Sequence, residues 1–349
     1  MVIDMKRYFS FLFGKRANIA FSIFALSLIL ILSLSFPLGA SSGKWESVSG
    51  GYKYIYGFFE TACYVSSFVL LGLCFIEPAL MFSFKMKRNS FEAERRLAVS
   101  KKSMYFARYI LGYLEIIIPF TFSYFISMGI IFASQGLISF HLTLLLYSIL
   151  LIGGALAYSF FLFFYLRARN SIDGFLLMIL ATLALIFLGN AIMYLIIRFN
   201  GNIITLEYRL NPFSIFQCGC ILVSDLFNHK NTLDFSTIIF ALVMVFICSL
   251  AILGIVFHKG DFNVEHANQK TVSYFGYKTL IPLTFIPLVV FKNVIGLPIY
   301  YIFLVLVFAL TYLAYALSYR RFLFNKKGWI LYFIVIGVEL ILYFITLFI

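Results

Sequence analysis

The chain has 349 residues, of which 63% are hydrophobic and only 12% charged, with a formal charge of +13 and a mean hydropathy of +1.00. A water-soluble domain carries about 25% charged residues, so this composition leaves too little polar surface to dissolve a chain of this length. The positive charge therefore does not indicate a nucleic-acid partner: the basic residues lie between long apolar runs, where they mark the edges of membrane spans.

The first sixteen residues place Val2, Met5, Phe9 and Leu12 at helical spacing, beside Lys6, Arg7, Lys15 and Arg16. An apolar stripe flanked by cations predicts an amphipathic helix over 1–16 lying in the headgroup plane. A helix needs about 20 residues to cross some 30 Å of hydrocarbon. Nine runs meet that length: 17–36, 57–84, 104–133, 141–166, 172–197, 236–257, 279–297, 299–318 and 329–348. The first run is too long for the apolar core of a cleaved signal peptide, and it is read as a retained span. The fold class expected is all-α, a polytopic transmembrane helical bundle. With the N-terminus cytoplasmic, Lys44, Lys53, Arg198, Arg209, Lys230 and Lys292 are external and the remainder of the 27 Lys and Arg are internal. That asymmetry sets the orientation. It also favours counting 279–297 as a full span, despite Pro282, Pro287 and Lys292.

The second run is the second longest, and it leads into a mixed-charge segment containing Phe91, Glu92, Glu94, Arg95, Arg96 and Leu97. A stiff helix ending in a compact charged element has the form of a mechanical lever. Within the apolar runs stand three carboxylates, Glu77 (followed by Pro78), Glu115 (with Pro119 four residues on) and Glu339. Charged groups at such depths are costly, so they face protein or water and find partners. Either they line a translocation path that draws cationic cargo, or they neutralise arginines such as Arg108 near helix ends. The five cysteines form no framework, and Cys63, Cys74 and Cys248 read as small apolar residues within spans.

Motifs for chemistry in water are missing. Gly39–Lys44 is one residue short of a phosphate-binding P-loop, and Trp45 stands where the magnesium-binding hydroxyl belongs. Glu265-His266 has no second histidine at metalloprotease spacing, and His141, His229 and His258 are scattered. No catalytic, cofactor or metal site is expected in the chain.

The stretch 94–103, Glu-Arg-Arg-Leu-Ala-Val-Ser-Lys-Lys-Ser, with Tyr109 to Gly112 and Pro119 beyond it, resembles the loop before the third helix of type-2 ABC exporter permeases, in the Gram-positive-like branch. Ala98 stands where that family usually has proline. Leu210-Asn211-Pro212-Phe213 resembles the family's external segment before the sixth helix. The segment 260–278, with Glu265, Tyr274 and Phe275, resembles a later cytoplasmic loop, and the N-terminal piece resembles the elbow helix. The resemblance implies a six-helix core over 17–257, after the elbow at 1–16, followed by a cytoplasmic loop at 258–277 and three further spans over 278–349. It implies a non-enzymatic permease subunit in the cytoplasmic membrane, paired with a second permease, identical or homologous. Separate ABC ATPase subunits would bind the ATP and magnesium. Docking on those subunits would fall to Phe91, Glu92, Glu94, Arg95, Arg96 and Leu97. Abundant phenylalanine and tyrosine suggest hydrophobic or amphipathic cargo, such as peptides, lipids or drugs. Two other readings compete: an ion-coupled secondary transporter using Glu77, Glu115 or Glu339 as proton carrier, and a membrane enzyme acting on lipid-linked substrates.

Overall fold

A computed structural model describes residues 5–41, 44–48, 51–55, 58–83, 101–135, 140–166, 168, 171–200, 220 and isolated positions between 305 and 341. Its elements in chain order are α1 (Met5–Ser41), β1 (Lys44–Val48), β2 (Gly51–Ile55), α2 (Phe58–Phe82), α3 (Lys101–Gln135), α4 (Phe140–Tyr165) and α5 (Ser171–Asn200). Four helices contain stretches long and apolar enough to cross a bilayer: Asn18–Leu38, Thr61–Phe82, Met104–Ala133 and Phe140–Tyr165. They carry large apolar side chains on their outer surface, among them Phe21, Ile29, Phe68 and Phe122. Such exposure is unsuited to water and matched to hydrocarbon, so this is a membrane-embedded helical protein.

The first four expected spans thus lie on four helices, and the fifth run, 172–197, lies within α5. The runs at 236–257 and 279–297 lie outside the described residues. Those at 299–318 and 329–348 are described only at scattered helical positions. Three particulars differ from the sequence reading. First, the structure draws no helix boundary near residue 16: α1 runs unbroken for 37 residues, through the basic segment and into the apolar run. At 1.5 Å per residue it is about 55 Å long, well beyond the hydrocarbon thickness. No proline stands at the junction of the two segments, and the one glycine there, Gly14, costs a helix only about 1 kcal/mol, too little to stop it. Second, α2 has 25 residues and ends at Phe82, shorter than the run 57–84, while α1, the 35-residue α3 and the 30-residue α5 exceed the hydrocarbon thickness by more. Third, the chain between α1 and α2 forms an antiparallel hairpin, not irregular loop. It pairs Lys44 with Ile55, Trp45 with Tyr54, Glu46 with Lys53, Ser47 with Tyr52 and Val48 with Gly51. Two residues, Ser49 and Gly50, separate the strands in the sequence, a spacing and composition that hairpins favour.

The chain divides into two compact units, one comprising Met1–Phe163 and Ile215–Gly260, the other Phe164–Ser214 and Asp261–Ile349. In the first unit α1 packs on α2 and α3, and α2 packs on α3. Two contacts fix the α1–α3 direction. Arg16 meets Glu115, and eleven residues further along α1 Ser27 meets Ser123. The two helices therefore run parallel, with α2 antiparallel between them in sequence. Ser27 and Ser123 lie with their hydroxyls 2.7 Å apart, and each is 3.0 Å from the Phe24 carbonyl. In an apolar medium this small polar contact has no water to compete with it, and it holds α1 and α3 in register.

The other side of α3 carries a row of hydroxyls toward α4. Tyr109 and Ser159 are 2.8 Å apart, Tyr113 donates to the Leu151 carbonyl at 2.6 Å, Thr121 and Tyr147 are 2.6 Å apart, and Tyr124 donates to the Thr143 carbonyl at 3.0 Å. Aromatic rings fill the space between, with Tyr158 beside Tyr109 and Tyr113, and Tyr147 beside Tyr124 and Phe125. Close approach needs small residues at two places. A side chain at Gly112 would collide with the Tyr158 hydroxyl, and one at Gly154 would press on Leu70. Cys74 donates weakly to the Gly154 carbonyl at 3.5 Å, and the Cys220 sulfur sits 3.1 Å from the Ser67 hydroxyl. These buried cysteines are therefore packing groups with weak polar contacts. In the second unit Tyr165 covers Gly174, its ring meets Phe175 edge-on and its hydroxyl reaches Ser171. Trp329, Tyr332 and Phe333 cluster with Tyr312.

Gly112→Ala is expected to destabilise the first unit by about 1–3 kcal/mol through overpacking against Tyr158, read as a lower unfolding temperature in detergent. Gly72→Ala, with nothing within 4 Å of the added methyl, is expected to be neutral or mildly stabilising.

Candidate functional site

Three ionisable side chains from three helices meet at one end of the first unit. Glu77 stands one turn before the end of α2, Glu115 lies on α3, and Arg16 stands two residues before the apolar stretch of α1. The Arg16 guanidinium joins them: Nη2 is 3.3 Å from Glu77 Oε1, while Nε is 2.9 Å from Glu115 Oε2 and donates to Oε1 at 3.1 Å. The side chains are 12%, 1% and 4% exposed for Arg16, Glu77 and Glu115, so water contributes little to their solvation.

The local sequence explains the site's polarity. Proline lacks an amide hydrogen, so Pro78 deprives the Cys74 carbonyl of its helical donor and Pro119 does the same for Glu115. Both deprived carbonyls lie on or within one turn of the glutamates. The α2 helix also ends here, and its last carbonyls lack helical donors. Its last turn holds no basic residue of its own. Cations arrive from the neighbouring helices instead. Arg16 Nη1 donates to the Leu80 carbonyl at 3.3 Å and approaches the Met81 sulfur at 3.2 Å. Arg108 of α3, itself buried, donates to the Met81 carbonyl at 2.8 Å. Two arginines thus cap the negative end of α2 in trans, where helix-dipole electrostatics favour positive charge.

The structure brings together two of the three carboxylates singled out from the sequence and supplies a partner for both. Arg108, the arginine the sequence suggests for that role, donates to the α2 terminus, and the cation shared by Glu77 and Glu115 is Arg16. The sequence alone places Arg16 in the headgroup plane, because it belongs to the basic, amphipathic segment 1–16. The signal that could have found it is positional. Two solitary carboxylates near the same ends of their spans require a cation at that level, and Arg16 is the basic residue nearest the start of the first apolar run. Glu339 and the segment holding Phe91, Glu92, Glu94, Arg95, Arg96 and Leu97 lie outside the described residues.

Beside this cluster Tyr158 is fully buried, its hydroxyl directed at Gly112, one turn before Glu115, and next to the Met81 methyl. The arrangement can hold three helices at a fixed level and exchange charge with a proton or a competing cation. No family model, characterised protein or solved structure matches the chain.

Removing one member of a buried ion pair strands its partner, a loss of about 3–5 kcal/mol in soluble proteins. Arg16→Met is therefore expected to lower the unfolding temperature more than Glu77→Gln or Glu115→Gln alone. Adding both glutamine substitutions to Arg16→Met is expected to restore most of the loss, because no charge is then left buried. Unfolding curves of the purified variants in one detergent would check this. A triple variant no more stable than Arg16→Met would contradict it.

Proposed function

We propose that the chain is the membrane-spanning permease subunit of an ATP-driven exporter of the type-2 ABC kind. In this reading it spans the cytoplasmic membrane nine times with its N-terminus in the cytoplasm. It pairs with a second permease and is driven by separate ATPase subunits that hold ATP and magnesium. Its cargo is hydrophobic or amphipathic: a peptide, a lipid or a drug-like molecule. The observation that carries the reading is the Arg16 clasp. The helices that flank the charged segment 84–100 are α2 and α3, and Arg16 ties both of them to α1 at the end from which that segment leaves. A force applied to Phe91, Glu92, Glu94, Arg95, Arg96 or Leu97 would reach three helices as one body, which is what coupling to an external motor requires. The sequence resemblance around 94–112 names that motor as an ABC ATPase.

Mechanistically, closure of the ATPases on ATP would move the docking segment. The clasp would carry that movement to α1, α2 and α3, and the permease pair would open outward. A second reading, ion-coupled transport, draws on the same cluster, because carboxylates buried in membrane helices are frequent proton carriers.

Mild detergent extraction of the tagged chain from its native membrane, followed by identification of what co-purifies, tests the proposal. A P-loop ATPase in stoichiometric amount is expected, along with ATP hydrolysis. Charge reversal at Glu92, Glu94, Arg95 and Arg96 is expected to abolish the association while the chain remains inserted. Wild-type ATPase association in that variant would remove the docking assignment. A chain that purifies alone but acidifies or alkalinises vesicles in a Glu77- and Glu115-dependent way would favour the ion-coupled reading.

A further inference from the structure

The hairpin between α1 and α2 is short, two-stranded and tethered at both ends. The apolar stretch of α1 ends at Leu38 and the helix itself at Ser41; α2 begins at Phe58 and its apolar stretch at Thr61. Residues 42–43 and 56–57 are the whole of the connection. Three helical residues and a two-residue link raise Lys44 at most roughly 15 Å above the hydrocarbon. The headgroup layer on each side is itself about 5–8 Å thick, so a ribbon that lies over toward the bilayer brings its open end into that layer. A two-stranded hairpin alone in water is marginally stable, and it needs a surface against which to lie.

Register says which residues occupy the tethered end. Lys44 pairs with Ile55 at the opening, Trp45 with Tyr54 directly above, and Glu46 with Lys53 next. By strand register, Trp45, Ser47, Tyr52 and Tyr54 hold positions on one face of the ribbon, and Lys44, Glu46, Val48, Gly51, Lys53 and Ile55 on the other. One face is thus aromatic and hydroxylated, while the other holds the charges. Tryptophan and tyrosine combine an apolar ring with a polar tip, and they concentrate where hydrocarbon meets headgroups.

We propose that the Trp45–Tyr54 rung is a membrane-interface anchor whose partner is the carbonyl and headgroup layer of the phospholipid bilayer. It holds α1 and α2 at a fixed depth on the side of the membrane opposite the Arg16 clasp. This inference rests on the membrane-embedded fold and is independent of the permease reading.

The chain has two tryptophans, Trp45 and Trp329, so Trp329→Phe leaves Trp45 as the sole indole reporter. Reconstituted in vesicles, that variant is expected to lose fluorescence with lipids brominated near the headgroup. It is expected to lose less with lipids brominated near the chain ends, and to resist aqueous iodide. The signal should vanish in the Trp45→Phe, Trp329→Phe double variant, which also reports by circular dichroism whether the helices remain folded. Strong iodide quenching without bromolipid quenching would place Trp45 in water and overturn the proposal. Insensitivity to both quenchers would place it inside protein and overturn it equally.

Discussion

A guanidinium held between two buried carboxylates is costly unless its geometry is good, because three charged groups have been taken from water. Arg16 recovers much of that cost by using several of its donors at once. Its Nε meets Glu115, Nη2 meets Glu77, and Nη1 reaches the Leu80 carbonyl and the Met81 sulfur. The planar fork of arginine suits this, whereas a lysine would offer one point charge to partners on two helices. Lipid tails are as apolar as leucine, so hydrophobic burial does little to choose which helices pair within the bilayer. The ion pairs and the Ser27–Ser123 contact then decide how α1 sits on α2 and α3. Of the four stretches long and apolar enough to cross a bilayer, that of α1 is the least buried, and it depends most on these few polar contacts.

The trans-capping of α2 follows from the same economy. Carbonyls at a helix end in or near hydrocarbon cannot count on water, and α2 has no basic residue in its own last turn. Arg16 and Arg108 satisfy two of those carbonyls from opposite neighbours. The charge of Glu77, unfavourable by itself at the negative end of a helix dipole, becomes acceptable because the same cations stand beside it.

The membrane character and the four long apolar helices were legible because they depend on composition and on runs of about twenty apolar residues, the length that matches the bilayer thickness. Glu77 and Glu115 stood out for the same reason: a carboxylate is conspicuous in such a run. Their partner was less visible, since Arg16 lies 61 residues from Glu77 and 99 from Glu115, and only tertiary packing brings it to them. Amphipathic spacing in 1–16 suggested a separate element, but periodicity carries no stop signal, and α1 runs on through Gly14 because a single helical glycine is a weak breaker. The hairpin at 44–55 had its cues in alternation and in Ser49-Gly50. They are easily passed over between two long apolar helices.

The order of synthesis gives the clasp a temporal side. When α1 leaves the ribosome, Arg16 has neither carboxylate, and α2 must be made before the first appears and α3 before the second. Until then its guanidinium has only headgroups and water for company, which suits a residue at the rim of the apolar stretch, from which a long basic side chain reaches the surface. The cluster therefore closes only once the third helix has been threaded into the membrane. In a nascent chain halted after α2, Glu115 is still to come and the joint stands half made. Such an intermediate would be a natural client for insertion factors and for membrane proteases that recognise uncompensated charge.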